Sequence, residues 1–240
     1  MLTTIIGRGH GGTRAMSHTL KASGVYMGDQ LNGAGDLLPP GDMYEACRIT
    51  GKYVKYLGDL KWDFSEMVNG PVDPEFERLV KSFLRSVLSH NGPKAGWKLP
   101  ETILGFPWIV RMFPDIRYIF WVRDPRDSII GRHLTDDLAD FGIEYEHTED
   151  ELMRRAVSYI YQARIYRATP RPKHLLEVRF EDFVLNQEQE LKRLEEFLGF
   201  PLEKIPVRPE SVGRWRSTDR GRHAFDILKS EIEAFGYDAE

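Results

Sequence analysis

The stretch LTTIIGRGHGGTR, residues 2–14, contains the local signals that decide the fold. Its first five residues, Leu2–Ile6, are apolar and rich in β-branched side chains, which is typical of a buried strand. Four glycines follow within six positions. From Thr13 onward, apolar residues recur at helical spacing until Gly24, a residue type that often ends helices in the left-handed conformation. The sequence therefore predicts a strand, a glycine loop and a helix in succession.

The glycine loop, residues 7–12, suits a bound phosphate or phosphosulfate. Glycines let backbone amides turn towards a ligand, and the following helix adds the positive end of its dipole. Arg14 lies in the first helical turn, where a cation opposes that dipole, so its position is easier to explain if an anion lies beside it. The alternative is a plain turn in which Thr13 caps the helix. The loop lacks the Gly-Lys-Ser/Thr ending with which nucleoside triphosphatases hold a terminal phosphate and magnesium.

Strands and helices alternate along the rest of the chain and predict an α/β fold. Residues 116–122 are apolar enough for the centre of a parallel sheet, and residues 174–180 form another predicted strand. Such sheets bind ligands beyond the carboxyl ends of their strands, where residues 7–14 and 123–127 should meet. The predicted helices after the first are 42–57, 75–88, 103–112, 151–166, 187–198 and 225–235.

Composition limits the class of protein. A chain of 240 residues that is 41% hydrophobic can bury a sizeable core, and we expect one domain over residues 1–240. A formal net charge of −4 gives no global attraction to nucleic acid or to an anionic membrane. The single cysteine, Cys47, cannot form an internal disulfide, and we find no leader or membrane-spanning stretch. We therefore expect a cytoplasmic protein without nucleic-acid or membrane partners.

A second anion-binding motif follows the central strand. Arg123 ends that strand and would place a guanidinium at the ligand-facing edge of the sheet, so we interpret it as a phosphate clamp. Asp124, Pro125 and Asp127 are explained by helix initiation, as N-cap, first helical residue and first-turn acid.

Several motifs together resemble the sulfotransferase family. The strand with Gly-Gly-Thr-Arg-Ala-Met, residues 11–16, is similar to the family's 5′-phosphosulfate loop, particularly in heparan sulfate sulfotransferases. The block FPDIRYIFWVRDPRD, residues 113–127, resembles its 3′-phosphate motif. GWKLPET, residues 96–102, resembles the Gly-Trp-Lys-Asp-Pro-Arg-Thr stretch of bacterial members, and GRWR, residues 213–216, resembles a loop that covers the nucleotide.

The resemblance implies a P-loop NTPase-like three-layer fold with a central parallel sheet flanked by helices. It implies transfer of a sulfuryl group from 3′-phosphoadenosine 5′-phosphosulfate (PAPS) to a hydroxyl or amine, with adenosine 3′,5′-bisphosphate (PAP) as product. The acceptor would be a small molecule or a glycan. We expect no metal, because sulfate carries less charge than a phosphoryl group and no ligand cluster is evident. The donor-binding residues would be Arg8, Gly9, His10, Gly11, Gly12, Thr13, Arg14, Arg123, Gly131, Arg214, Trp215 and Arg216.

Two positions depart from the family pattern. His10 stands where the family has lysine or arginine, so it carries charge only when protonated. Gly131 stands where the family commonly has serine, and Ser128 or His133 could supply the missing contact.

The resemblance also points to catalytic residues. Sulfuryl transfer, like phosphoryl transfer, needs positioning and charge stabilisation, for which His10 and Lys98 are the candidates. Asp42–Glu45 resembles the acidic stretch of carbohydrate-type members, and Glu45 is the first choice of general base, with Glu101 and His133 as alternatives. Residues 31–94 and 134–149 are expected to border the acceptor, and the acids of the second stretch argue against a polyanionic glycan.

Two other functions remain open from the sequence. A P-loop kinase would share the sheet and the glycine loop, although it should bring a lysine, a hydroxyl and a magnesium-binding acid. A domain that binds adenosine bisphosphate without catalysis is the other alternative.

Overall fold

The protein, described by a computed structural model over residues 1–217 and 222–239, alternates strands with helices. The strands are β1 (Leu2–Ile6), β2 (Lys55–Gly58), β3 (Lys61–Asp63), β4 (Ala95–Lys98), β5 (Arg117–Val122) and β6 (Leu175–Arg179). The α-helices are α1 (Thr13–Ala22), α2 (Gly41–Thr50), α3 (Ser65–Asn69), α4 (Pro74–Phe83), α5 (Arg85–Leu88), α6 (Phe106–Met112), α7 (Pro125–Ser128), α8 (Glu151–Ala168), α9 (Phe180–Leu185), α10 (Gln187–Leu198) and α11 (Arg222–Ala234).

Four parallel strands form the main sheet in the order β4-β1-β5-β6. The predicted strands β1 and β5 are confirmed, and both occupy interior positions. Their register pairs Ile6 with Phe120, so the glycine loop and the residues after β5 leave the sheet side by side. The short hairpin of β2 and β3 forms a separate antiparallel pair.

The sheet is covered by helices on both faces, because its buried side chains alternate between the two sides. In β5, Tyr118, Phe120 and Val122 belong to one apolar cluster, and Ile119 and Trp121 belong to the other. The first cluster includes side chains of α2, α4, α6, α8 and α11, and the second includes those of α1, α9 and α10. The predicted α/β class with a central parallel sheet flanked by helices is therefore confirmed.

Three helix predictions need correction. Residues 42–57 are helical only to Thr50, since a 3-10 turn at Gly51–Tyr53 leads into β2. Gly51 packs so closely that a Cβ there would lie 2.4 Å from the carbonyl oxygen of Phe141. Residues 75–88 form two helices with a break at Leu84. Residues 103–105 are part of a 3-10 segment, Pro100–Gly105, which precedes α6.

Candidate active site

The glycine loop presents the start of α1 without a side-chain cap. Gly12 is the N-cap in the left-handed conformation with φ 87°, and no side chain bonds the helix start, so Thr13 does not act as a cap. The loop is anchored to β5, because the Trp121 indole donates to the Gly11 carbonyl at 2.9 Å. The first turn contains no acidic residue. The arrangement leaves backbone N–H groups and a positive dipole end for an anion.

Arg14 adds an exposed cation to this helix start. Its side chain is exposed, and it makes no hydrogen bond or ion pair with the described residues. Desolvation is the main cause of the lowered pKa of Lys98, and the charge of Arg14 lowers it further, so the two cations lie near each other. Two cations beside a helix N-terminus favour a multivalent anion there.

Arg8 is a structural residue of the loop. Its side chain is buried and donates to Asp136 and to the carbonyls of Ser128, at 2.6 Å, and Gly9. Because these groups occupy its terminal nitrogens, Arg8 ties the glycine loop to residues 128–136. The structure therefore does not present it to a ligand, in contrast to the sequence assignment.

Lys98 ends β4 and is only 2% exposed, so it is a buried cation. Its ammonium group donates to the Ala34 carbonyl at 2.8 Å and to the Asp36 carboxylate. Desolvation lowers the pKa of Lys98, and the charge of Asp36 acts in the opposite direction. An ammonium group has three N–H donors, so one remains for a ligand. Sequence analysis did not identify Asp36, because nothing local links it to a lysine in a distant strand.

A cavity of about 480 Å³ opens beside the Lys98–Asp36 pair. Its volume is within the range of small-molecule sites. Segments near residues 32–44, 99–101 and 132–140 form its walls, so both sequence regions expected at the acceptor contribute. The lining residues are Asn32, Asp36, Leu38, Pro40, Tyr44, Leu99, Pro100, Glu101, Arg132, His133, Leu134, Asp137 and Asp140.

Glu101 is the buried carboxylate of this cavity. Its Oε1 lies 3.7 Å from Nε2 of His133, and its Oε2 is buried without a hydrogen-bond partner. Burial raises the pKa of Glu101 to about 7, with a further increase from Asp36 and an opposing effect of Lys98. A carboxylate with a pKa close to neutrality inside a cavity has the properties of a general base.

Glu45 does not line the cavity. It lies on the exposed face of α2 and pairs with Arg48 at 2.5 Å, where both side chains are solvated. Its neighbour Tyr44 faces the cavity instead. The geometry therefore favours Glu101 over Glu45 as the candidate base.

His10 stands at the tip of the glycine loop with φ 60°. Desolvation, followed by the charge of Arg8, lowers the pKa of His10, so the imidazole is neutral at pH 7. A Cβ at Gly131 would lie 2.7 Å from Nδ1 of His10. His10 and Gly131, the two departures from the family pattern, are thus neighbours in space. A serine side chain at position 131 would take the room that the His10 ring needs.

Arg123 lies where the sequence predicted it, at the end of β5 and against the glycine loop. It donates to the His10 carbonyl at 3.2 Å, to Asp127 at 2.9 Å and to the Ser211 carbonyl. The charge of Arg123 contributes to the lowered pKa of Arg214, after desolvation, so two guanidinium groups lie near each other. Adjacent like charges of this kind are typical of an anion site.

The loop over Arg123 is held by a buried acid. Asp127 accepts from the backbone N–H groups of Gly213 and Trp215, each at 2.9 Å. The Trp215 ring packs on the guanidinium of Arg126 at 3.8 Å and on that of Arg216 at 4.8 Å. The assignment of this ring to the adenine side stays a prediction, since its ring contacts here are with two arginines and with Phe225.

Two classes of site are not evident among the described residues. Residues 1–217 and 222–239 contain no group of three or more His, Cys, Asp or Glu arranged to hold a metal ion. Within the same residues, no helix combines the length and apolar character needed to cross a bilayer.

Comparisons with known proteins concern the family and the fold. A family model described as "Sulfotransferase family" matches residues 40–204. A Caenorhabditis briggsae protein named as a protein-tyrosine sulfotransferase is 23% identical over 133 residues, and the match covers 54% of this chain and 46% of that protein. The chain thus matches about half the length of this relative.

Two solved structures share the fold over nearly the whole chain. The sulfotransferase domain from the curacin biosynthetic pathway has a TM-score of 0.61 at 14% identity and covers 98% of this chain and 97% of its own. The sulfotransferase domain of the Synechococcus PCC 7002 olefin synthase has a TM-score of 0.58 at 15% identity, with coverage of 99% and 94%. These likenesses confirm the P-loop NTPase-like fold class.

Proposed function

The chain belongs to the sulfotransferase family, and we propose that it transfers a sulfuryl group from PAPS to a hydroxyl or amine of a small-molecule or glycan acceptor. One observation carries the proposal. The glycine loop adjoins two cationic sets, one with Arg14 in the first turn of α1 and one with Arg123, which donates to the His10 carbonyl, at the end of β5. A donor with a phosphosulfate at one end and a 3′-phosphate at the other requires two such sets.

The residues present fit this donor. The unclaimed amides at the start of α1 and the unpaired Arg14 would hold the phosphosulfate. Arg123 and Arg214 would hold the 3′-phosphate, which would take the place of the Ser211 carbonyl on Arg123. The bound donor supplies the sulfuryl group and a phosphate leaving group.

The remaining residues have separate tasks in the transfer. Lys98 has one free N–H with which to stabilise negative charge on the transferring group. His10 gains a proton only beside a bound anion, so it can assist the leaving phosphate once the donor is present. Glu101 accepts the proton of the acceptor hydroxyl at Oε2, for which its raised pKa near 7 suits a reaction at neutral pH.

Nucleotide binding tests the donor assignment. We expect isothermal calorimetry to detect PAP binding that persists in the presence of a chelator and exceeds binding of ATP with magnesium. Arg214→Ala should weaken PAP binding about 10- to 100-fold through the loss of a charged contact, and its exposed side chain makes loss of folding a minor concern. Arg171→Ala is the control, because Arg171 is an exposed arginine in the segment that precedes β6. A preference for magnesium ATP would contradict the proposal and favour a kinase.

Transfer assays test the catalytic assignment. With ³⁵S-labelled PAPS and a panel of phenols, amines and sugars, Glu101→Gln should lower kcat by about 10²- to 10⁴-fold, because the base is lost. PAP affinity should be unchanged in this variant. Glu45→Gln decides between the two glutamates, and a large loss of kcat there with little in Glu101→Gln would reverse the assignment. Tight PAP binding without transfer to any acceptor would favour the non-catalytic alternative.

A further inference from the structure

A chain of buried hydrogen bonds leads from α8 to the cavity. Ser158 and Gln162 lie one turn apart on α8, and Thr135 lies in the 3-10 turn Leu134–Asp136. All three are at most 2% exposed. The chain continues through His133 to Glu101, the carboxylate that lines the cavity. None of these side chains except His133 and Glu101 was identified from the sequence.

The direction of each hydrogen bond can be worked out from the donors available. Ser158 gives its hydroxyl proton to the Thr135 carbonyl at 2.6 Å, so its oxygen must accept from Gln162 Nε2 at 2.9 Å. This fixes the orientation of the Gln162 amide, and the same nitrogen donates to Thr135 Oγ1 at 3.0 Å. The hydroxyl proton of Thr135 is then free for Nδ1 of His133, 2.9 Å away.

The same geometry selects one form of the His133 ring. The backbone N–H of Thr135 also donates to Nδ1, at 3.3 Å. With two donors directed at it, Nδ1 has to be the acceptor nitrogen, and the neutral ring carries its proton on Nε2. Burial, followed by the charges of Arg8, His10 and Lys98, lowers the pKa of His133 to about 3, so the ring stays neutral.

The proton-bearing nitrogen faces Glu101. Nε2 lies 3.7 Å from Oε1, which is within ion-pair distance but longer than a hydrogen bond. Oε2 is buried, and none of the described residues forms a hydrogen bond with it. Oε1 of Glu101 thus faces the Nε2–H donor of His133, and Oε2 is available to a ligand that enters the cavity.

We propose that His133 is a positioning residue, held in its Nε2–H form by Thr135 and Gln162, which orients Glu101 so that Oε2 takes the proton of the acceptor. The inference rests on the proposed function. As the acceptor oxygen bonds to sulfur, its O–H bond breaks and the proton passes to Oε2 and later to solvent in the cavity. The bond from sulfur to the donor's phosphate oxygen breaks, and its electron pair leaves with the phosphate.

The glycine loop takes part in this arrangement. A Cβ at Gly9 would lie 2.0 Å from Cδ2 of His133, so only glycine at this position leaves room for the ring. The loop that would hold the donor and the ring that orients the base are therefore in contact. This contact gives position 9 a steric requirement for glycine, a residue that has no side chain with which to bind a ligand.

Other ionisable groups also affect the ionisation of Glu101 and His133. Asp36, Lys98, Tyr44 and Cys47 surround Glu101, and Arg8, His10 and Lys98 surround His133. Substitution of Thr135 changes none of them. Its effect on the base therefore reports on the hydrogen bonds that the Thr135 hydroxyl makes with His133 and Gln162.

The tautomer of His133 can be measured directly. In protein labelled with ¹⁵N-histidine, with His133→Gln used for assignment, we expect ring ¹⁵N shifts of an Nε2–H imidazole that stays neutral as the pH falls to about 5. An Nδ1–H ring, or protonation near the ordinary histidine pKa, would overturn the proposal. This result does not depend on an acceptor, so it remains decisive if no transfer is found.

Kinetics test the consequence for catalysis. Thr135→Val keeps the size of the side chain and removes the proton for Nδ1, so we expect kcat to fall about tenfold with PAP affinity unchanged. The acid limb of the kcat–pH profile should move to higher pH, since a ring that turns its lone pair to Oε1 disfavours the carboxylate. Thr169→Val is the matched control, because Thr169 is a buried threonine at the end of α8 whose hydroxyl donates to the Ile165 carbonyl.

A conservative variant separates positioning from packing. His133→Gln retains an N–H donor near the position of Nε2 and should keep more activity than His133→Ala. Equal losses in these two variants, or equal behaviour of Thr135→Val and Thr169→Val, would assign His133 and Thr135 a packing role only. Failure of the wild type to transfer sulfate to any acceptor would instead contradict the proposed function, while the tautomer would still be known.

Discussion

At the scale of single residues, the buried carboxyl group of Glu101 lowers the stability of the folded protein as the pH rises. Its pKa is about 7 in the folded protein, whereas an unfolded glutamate titrates near 4.3. Between these values the native state binds more protons than the unfolded state, so the stability that this residue contributes falls as the pH rises through that window. Desolvation of the charged carboxylate is the main cause, and Asp36 adds to it.

Glu101→Gln should therefore stabilise the protein increasingly as the pH rises. The free energy of unfolding of the variant, minus that of the wild type, should grow by up to about 3 kcal/mol between pH 5 and pH 8, because glutamine has no proton to lose. Urea unfolding at the two pH values measures this difference, and contributions common to both proteins cancel in it. A difference that does not change with pH would mean that Glu101 titrates at its ordinary pKa.

The exposure of Glu45 could have been predicted from the sequence. Met43, Ala46, Cys47 and Thr50 are buried, and their spacing of three and four residues defines the inner face of α2. Glu45 lies off that face. The assignment of Glu45 as the general base followed the family resemblance and not the helical periodicity of α2. The pair of Lys98 with Asp36, and the bonds of Thr135, depend on long-range contacts that no local pattern encodes.

At the scale of elements, α7 joins the end of β5 to residues 213–216. Asp127 is fully buried and accepts from Arg123 and from two backbone N–H groups of that loop. Asp127→Asn puts an amide N–H where one of these donors needs an acceptor, so one anchor of the loop is lost. We expect PAP affinity to fall about tenfold, measured by calorimetry.

Asp115→Asn is the matched control for Asp127→Asn. Asp115 precedes β5 at the opposite end of the strand, and its side chain is 82% exposed. If both variants bind PAP as the wild type does, the loop does not depend on Asp127 and its basic residues are not part of the nucleotide site.

The elements were predicted well wherever one short pattern fixes them. The strand–loop–helix unit at residues 2–22 and α10 with its terminating Gly199 follow from local periodicity and glycine position. The hairpin of β2 and β3 was missed, because its alternating side chains are half solvated and resemble a helix surface. β4 was missed as a strand, since four residues are too few for a periodic signal.

At the scale of the whole molecule, α11 closes the fold over α8 through one buried acid. Glu231 is fully buried and pairs with Arg164 at 3.1 Å and with Arg167. The segment after α11 then reaches the site, where Arg126 donates to the Asp238 carbonyl and Tyr237 donates to Glu181. The C-terminal helix thus supports the residues that follow β5.

Glu231→Gln should lower the free energy of unfolding by about 1–3 kcal/mol, because two partly exposed arginines lose the counter-charge that Glu231 supplies. Urea unfolding followed by circular dichroism measures the change. Glu233→Gln, on the exposed face of the same helix, should lie within about 0.5 kcal/mol of the wild type. A comparable loss in both variants would assign the effect to helix propensity and not to the buried pairing.

The position of β1 has a consequence for synthesis on the ribosome. Leu2 pairs with Ala95 and Thr3 pairs with Arg117, so the interior strand of the sheet leaves the exit tunnel long before either neighbour exists. Until β4 has been translated, this apolar segment has two unpaired edges, and until β5 has been translated it keeps one. Nascent chains must therefore spend an interval in which β1 is open to chaperones or to the same segment of another copy.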